Sequence, residues 1–268
     1  MLSAKRVAAI LLRQYYLMRG SASRVVPLFA WVAVDIVLWG FITRYLNSVA
    51  HAGFNFVPAL LGAVLLWDFL TRVMQGVTMA FFEDVWSRNF LNIFATPLSI
   101  REYLIGLVAS SVATSTVGLV VMIIIATFAF GLSFFVYGLM FVPFLLILFL
   151  SGIALGIFGC ALVLRLGPAA EWFVWPIPAL VSPFAGVFYP LSTLPGWMRD
   201  ISYVLPPSYV FEGMRALVAH QRFSPGLLVL GGALALFYVA LAGWAFTRVY
   251  RRAVRTGLIA RYSAETVS

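Results

Sequence analysis

The sequence predicts an all-α integral membrane protein, and three observations carry that prediction. Hydrophobic residues make up 63% of the 268 and charged residues only 10%, far below the roughly 25% charged of a soluble domain. The apolar residues are gathered into runs that match a hydrocarbon core about 30 Å thick, which takes about 20 helical residues to cross. The basic residues sit beside those runs rather than in an aromatic-interleaved groove, so the net charge of +9 reads as membrane topology, not as nucleic-acid binding. One bundle is enough: an interfacial helix within residues 1–24, six spans within 25–247 and a cytoplasmic tail over 248–268.

Taken in order, residues 3–20 carry Lys5, Arg6, Arg13 and Arg19 among Val7, Leu11, Tyr15 and Met18. Helical spacing puts Arg6 and Arg13 together, opposite that apolar stripe, as in an amphipathic helix lying on an anionic leaflet. A cleaved signal peptide ending at Ala50-His51-Ala52 is the alternative. Its apolar core would run over 25–46 with Asp35 in the middle, against the usual 7 to 15 residues, so a retained first span is the reading preferred. Further apolar spans are expected over 56–82, 104–130, 138–164, 171–189 and 226–247. Pro176, Pro178 and Pro183 interrupt the fifth, and a broken helix at membrane depth must be packed inside the bundle or line a cavity.

Between the second and third spans lies FFEDVWSRNFLNIFATPLSIREY, residues 81–103. If 84–95 are helical, Trp86, Phe90, Ile93 and Phe94 share one face, and Arg88 and Asn92 another. Such a helix of about twelve residues rises only about 18 Å, too short to cross, so it is expected to lie flat on a membrane face. Thr96-Pro97 stops it, and Ser99 with Glu102 forms a capping box that starts the third span. A helix, a stop and a restart in this order can pass a push from outside the membrane to two spans.

Six spans put both termini on one side, and the basic residues choose it. Five lie in the N-terminal segment, five in the C-terminal tail, and Arg88, Arg101 and Arg165 flank loops on that same side. Only Arg44, Arg199, Arg215 and Arg222 fall opposite, so both termini are expected in the cytoplasm.

Few residues here are equipped for chemistry. His51 and His220 fall in loops far apart, with no carboxylate-rich cluster beside either, whereas a metal site needs several convergent ligands. Lys5 is the chain's only lysine, so no Gly-rich nucleotide loop ending in Gly-Lys-Ser or Gly-Lys-Thr exists. Cys160, the single cysteine, sits in an apolar run and reads as a buried thiol. Asp35, Asp68 and Arg72 are the intramembrane charges. Asp68 and Arg72 are four apart on one helix face that must point into the bundle; a structural ion pair with Asp35 as third partner is favoured over a proton relay, because no further carboxylate or histidine continues one. Gly152, Gly156 and Gly159 share a face of the fourth span, which close helix packing explains.

The second polar stretch, FAGVFYPLSTLPGWMRDISYVLPPSYVFEGMRAL, precedes the last span. Trp197, Met198, Ile201 and Tyr203 with Val204 recur at near-helical spacing, Pro206-Pro207 breaks the run, and a second short helix fits 209–217. Together with FFEDVWSRNFLNIFATPLSIREYLIG, this stretch resembles the permease subunits of ABC-2 type exporters, over nearly the whole chain.

That resemblance implies a half-transporter in a bacterial inner membrane: two copies of the chain with two separate ATPase subunits, which carry the ATP and magnesium. It implies a coupling helix for ATPase contact at Glu83, Asp84, Trp86, Arg88, Asn92, Thr96 and Pro97. It also implies short re-entrant helices before the sixth span, with an external gate at Phe184, Phe188, Tyr189, Pro190, Leu194 and Trp197. An amphiphilic or hydrophobic substrate moved by alternating access is favoured, because the spans offer few hydrogen-bonding side chains to a free polar solute; a lipid-linked polysaccharide is the near alternative. An intramembrane enzyme would need a convergent acid, base or metal cluster, and none is visible. A non-transporting scaffold would show no dependence on an ATPase partner.

Overall fold

A computed structural model describes residues 3–49, 57–87, 89, 92–93, 95–221 and 224–257, without the side chains of 23–25 and 27–29. The described residues form helices joined by turns, with no strand among them. Helix α1 covers Ala4–Arg19, α2 Ala22–Val49, α3 Gly62–Trp86, α4 Ile100–Phe130 and α5 Phe141–Leu166. The short α6 (Glu171–Val174), α7 (Ile177–Ala185), α8 (Gly196–Ser202) and α9 (Pro206–Val218) then lead to the long α10, Pro225–Arg255.

Five helical stretches are long and apolar enough to cross a bilayer: Ala30–Val49, Val57–Trp86, Ile100–Phe130, Phe134–Leu166 and Pro225–Arg255. The expected fifth span of six is instead two short helices, α6 and α7, bent at Trp175-Pro176. The prolines explain this, since each removes a backbone donor where a straight helix needs one. Other spans outrun the expected windows. α3 passes residue 82 and continues to Trp86, and α10 continues eight residues past 247 to Arg255.

Local chemistry sets the helix ends. The capping box at the start of α4 is present: the Glu102 amide donates to Ser99 Oγ at 3.3 Å and the Ser99 amide donates to Glu102 Oε2 at 2.8 Å. At the other end Gly131 takes φ 70°, which only glycine adopts without strain, and the amides of Gly131 and Leu132 return to the Thr127 and Ala126 carbonyls.

Helix α5 is the centre of the bundle, packed between α3 and α10, while α4 covers the other side of α3 and α2 leans on α4. The glycines of α5 allow the close approach to α3. A Cβ on Gly152 would come within 2.7 Å of the Leu70 carbonyl oxygen, and one on Gly156 within 2.9 Å of Val77 Cβ. Gly159 does the same for Val174 of α6, at 2.7 Å. Close packing therefore accounts for all three. Cys160 is buried beside them, its thiol aimed at the Val77 carbonyl 3.9 Å away.

Candidate functional site

The polar groups of the bundle collect in three places. The first is a corner where α1, the C-terminal end of α3 and the N-terminal end of α4 meet. Asp84 and Glu102 are both fully buried there. Arg13 donates through Nη1 to Asp84 Oδ2 at 3.1 Å and through Nη2 to Asp84 Oδ1, and the Tyr103 hydroxyl donates to Oδ2 at 2.7 Å. Burial works against the charge of Arg13, but the bond to Asp84 and its charge outweigh it and hold the guanidinium pKa above its ordinary value. Glu102 serves twice. Besides capping α4, it accepts the Ser3 amide at 2.8 Å and faces Arg6 at 3.4 Å.

Arg6 and Arg13 therefore both reach carboxylates of the protein, Arg13 half-buried and Arg6 while still exposed on the face expected to meet lipid headgroups. A further contact is steric: Ile10 sits over Gly106, where a Cβ would lie 2.6 Å from Ile10 Cγ2. The faces of α1 that stay exposed carry Leu12, Tyr15 and Tyr16.

The segment after α3 departs from the helix expected over 84–95. Residues 84–86 belong to α3, which ends at Ser87, so Asp84 points into the fold rather than towards a partner. Asn92 and Ile93 form one helical turn, the Ile93 amide bonding back to Asn89 and Thr96 Oγ1 donating to the Ile93 carbonyl at 2.6 Å. Ile93 is buried as the spacing predicts, while Asn92, Thr96 and Pro97 are exposed. Arg88, Phe90 and Phe94 lie outside the described residues. Trp86, expected on the same apolar face, is half exposed, and its Nε1 donates to Glu171 Oε2 of α6 at 2.8 Å. The end of α3 is thereby tied to α1 through Asp84 and to the broken segment through Trp86.

The second place is a pocket of about 630 Å³, open on one side, between α1, α2, α3 and α4. Asp35 of α2 and Asp68 and Arg72 of α3 all line it, close enough for the charge of Arg72 to act on both carboxylates. Asp68 Oδ2 and the Gln14 Nε2 of α1 are buried there with no hydrogen-bond partner among the described residues. Thr71, Gln75, Ser110 and Thr114 add hydroxyls and an amide, and Trp31 and Trp175 supply aromatic walls. The lining follows α3 from Asp68 to Glu83, fifteen residues or about 22 Å. The cavity thus runs from mid-span to the corner.

The third place lies at the opposite end of the spans. A cavity of about 580 Å³ is lined by Leu46 of α2, by Phe188 and Pro190, and by Glu212 and Arg215 of α9. Glu212 accepts from Arg215 at 2.8 Å and from the Leu191 amide at 2.8 Å, while Arg215 reaches the Val187 carbonyl at 3.4 Å. The buried hydroxyls of Ser202 and Ser208 donate to the Phe184 and Ser202 carbonyls, both at 2.6 Å. Phe188 stacks on Trp39 of α2 at 5.2 Å and Trp197 meets Phe184 edge-on at 6.2 Å, Tyr189 bonds the Pro183 carbonyl, and Leu194 is buried. Two short helices, α8 and α9, occur where the pattern of residues 197–217 predicts them. His220 is exposed in the turn after α9, and His51 falls outside the described residues.

Sequence reasoning missed Tyr103, Glu171, Glu212 and Trp39; Glu171 and Trp39 work through partners far away in the chain, Tyr103 through Asp84 nineteen positions before it, and Glu212 through Arg215 three positions on and the Leu191 amide. No group of three or more histidine, cysteine, aspartate or glutamate side chains that could hold a metal occurs among the described residues. A family model described as ABC-2 type transporter matches residues 7–218. No curated protein matches the chain.

Proposed function

The chain belongs to the ABC-2 type transporter family, and from that premise we propose that it is the permease half of an exporter that moves an amphiphilic or hydrophobic substrate by alternating access. Membership makes it a multi-pass membrane protein and a transport permease without its own ATPase site, and implies association with ABC ATPase subunits. In the reading proposed, two copies pair with two ATPase chains in a bacterial inner membrane with both termini in the cytoplasm. ATP and magnesium act on the ATPase chains.

The observation that carries this reading is the corner at the end of α3. Asn92, Thr96 and Pro97 offer an exposed surface to a partner, and directly behind it buried Asp84 grips α1 and Trp86 grips α6. A displacement at 87–98 is passed on to α1, to α4 through its cap, and to the broken segment that leads to the far cavity. Rigid units joined by such contacts shift between discrete packings, which is how a stroke at one face opens the other. The charged inner cavity beside α3 receives the substrate's polar head, and Phe184, Phe188, Tyr189, Pro190, Leu194 and Trp197 form the external gate.

The test is reconstitution with the cognate ATPase. The solubilised complex is expected to have the mass of two copies of this chain and two ATPase chains. Asn92→Asp with Thr96→Asp, both exposed, is expected to cost within about 0.5 kcal/mol of stability yet to lower both transport and the substrate-stimulated part of ATP hydrolysis. A stable chain that never copurifies with an ATPase, or transport untouched by the double variant, overturns the proposal and favours a scaffold.

A further inference from the structure

The C-terminal ends of α5 and α10 border a groove of about 980 Å³. Arg165 from α5 and Arg248, Arg251, Arg252 and Arg255 from α10 line it. No carboxylate among the described residues pairs with any of the five. Topology and the helix C-terminus explain why arginines occur there, but not why they converge from two helices on one concavity. Like charges at i, i+4, as at Arg248 with Arg252 and Arg251 with Arg255, oppose helix formation. An anion in the groove removes that repulsion.

Depth and neighbours indicate which anion. From Pro225 to Trp244 α10 rises about 28 Å, close to the thickness of the hydrocarbon core. Trp244 therefore sits at the boundary and the next two turns lie in the headgroup layer. The Arg248 guanidinium is held over the Trp244 ring, 4.8 Å from its centroid, which aims the charge at that layer. Trp244, Leu166 and Val254 beside the groove are more than half exposed, a surface suited to acyl chains rather than to a water-soluble partner.

We propose that this groove binds the phosphate of an anionic lipid headgroup. The guanidinium fork matches phosphate oxygens two at a time, and five arginines around one groove favour a doubly charged headgroup over a single one.

Native mass spectrometry of the purified full-length chain, titrated with cardiolipin, phosphatidylglycerol, phosphatidylcholine and soluble glycerol phosphate, tests this. The two anionic lipids are expected to be retained in preference to phosphatidylcholine, cardiolipin most. Arg248→Gln with Arg252→Gln is expected to weaken their retention about 30-fold, the effect of two basic residues at a membrane surface. Arg248→Lys with Arg252→Lys, which keeps the charge, should retain more, so that loss of fold cannot imitate the result. Arg19→Gln with Arg101→Gln, the same charge removed elsewhere, should leave retention unchanged. An equal loss in that control overturns the proposal, as does glycerol phosphate bound as tightly as lipid. So does a groove variant that keeps its lipid and loses its ATPase, which would make the groove a protein-docking surface.

Discussion

Asp84 has no exposure to solvent, and both its oxygens are engaged, by Arg13 on one helix and Tyr103 on another. A buried charge is tolerated only when its partners are in place, and breaking such a pair from one side leaves the other charge stranded. Asp84→Asn is therefore expected to lower stability by about 3 kcal/mol, measured by thermal unfolding in detergent. With Arg13→Gln added, the combined loss should fall short of the sum of the single losses by about 0.5–3 kcal/mol. Additive losses would mean that the two side chains do not act together. The residue scale also shows what a sequence conceals. The bond between Ser99 and Glu102 is legible because its partners are three apart, whereas the hold of the same carboxylate on Ser3 crosses 99 positions. Asp84 reads as the polar start of an interfacial helix until Arg13 is brought beside it.

Among the helices, legibility follows the same division. The long apolar runs appear where the pattern puts them, because burying apolar surface needs no particular partner. Their ends are misjudged wherever a helix continues through polar residues: α3 through Glu83 and Asp84, α10 through its arginines. The prolines of 171–189 announce a broken helix, and the α6–α7 bend supplies it. They do not announce that α6 hangs from Trp86 through Glu171. Trp86→Phe keeps the ring and removes the donor, so its cost to stability should be only about 0.5–1.5 kcal/mol. Transport should fall by far more than ATP hydrolysis, measured together in proteoliposomes, because the broken segment is released from the stroke while the ATPase still docks. An equal fall in both would assign Trp86 to the docking surface instead.

For the whole molecule, the uneven distribution of basic residues argues for an orientation that a thiol reagent can check. Cys160 is fully buried, so the native chain is a quiet background. Thr256→Cys should be protected from an impermeant reagent in intact cells and Ser192→Cys should react; the reverse pattern inverts the topology. α5 packs on α3 at glycine contacts and along α10 on its other side. α1 is held by the Asp84 and Glu102 links and by Ile10 packed on Gly106, and the broken segment by Glu171 and by Val174 packed on Gly159.

The clamp on α1 also bears on how the chain is made. α1 is synthesised before α3 and α4, and the carboxylates that hold it lie 71 to 99 positions later. Until the second and third spans are inserted, it has only the membrane surface to rest on, and Leu12, Tyr15 and Tyr16 suit it to wait there. Contacts so distant in sequence form after local ones. Docking of α1 is thus a late event, and it completes the corner only once the elements on both sides of it exist.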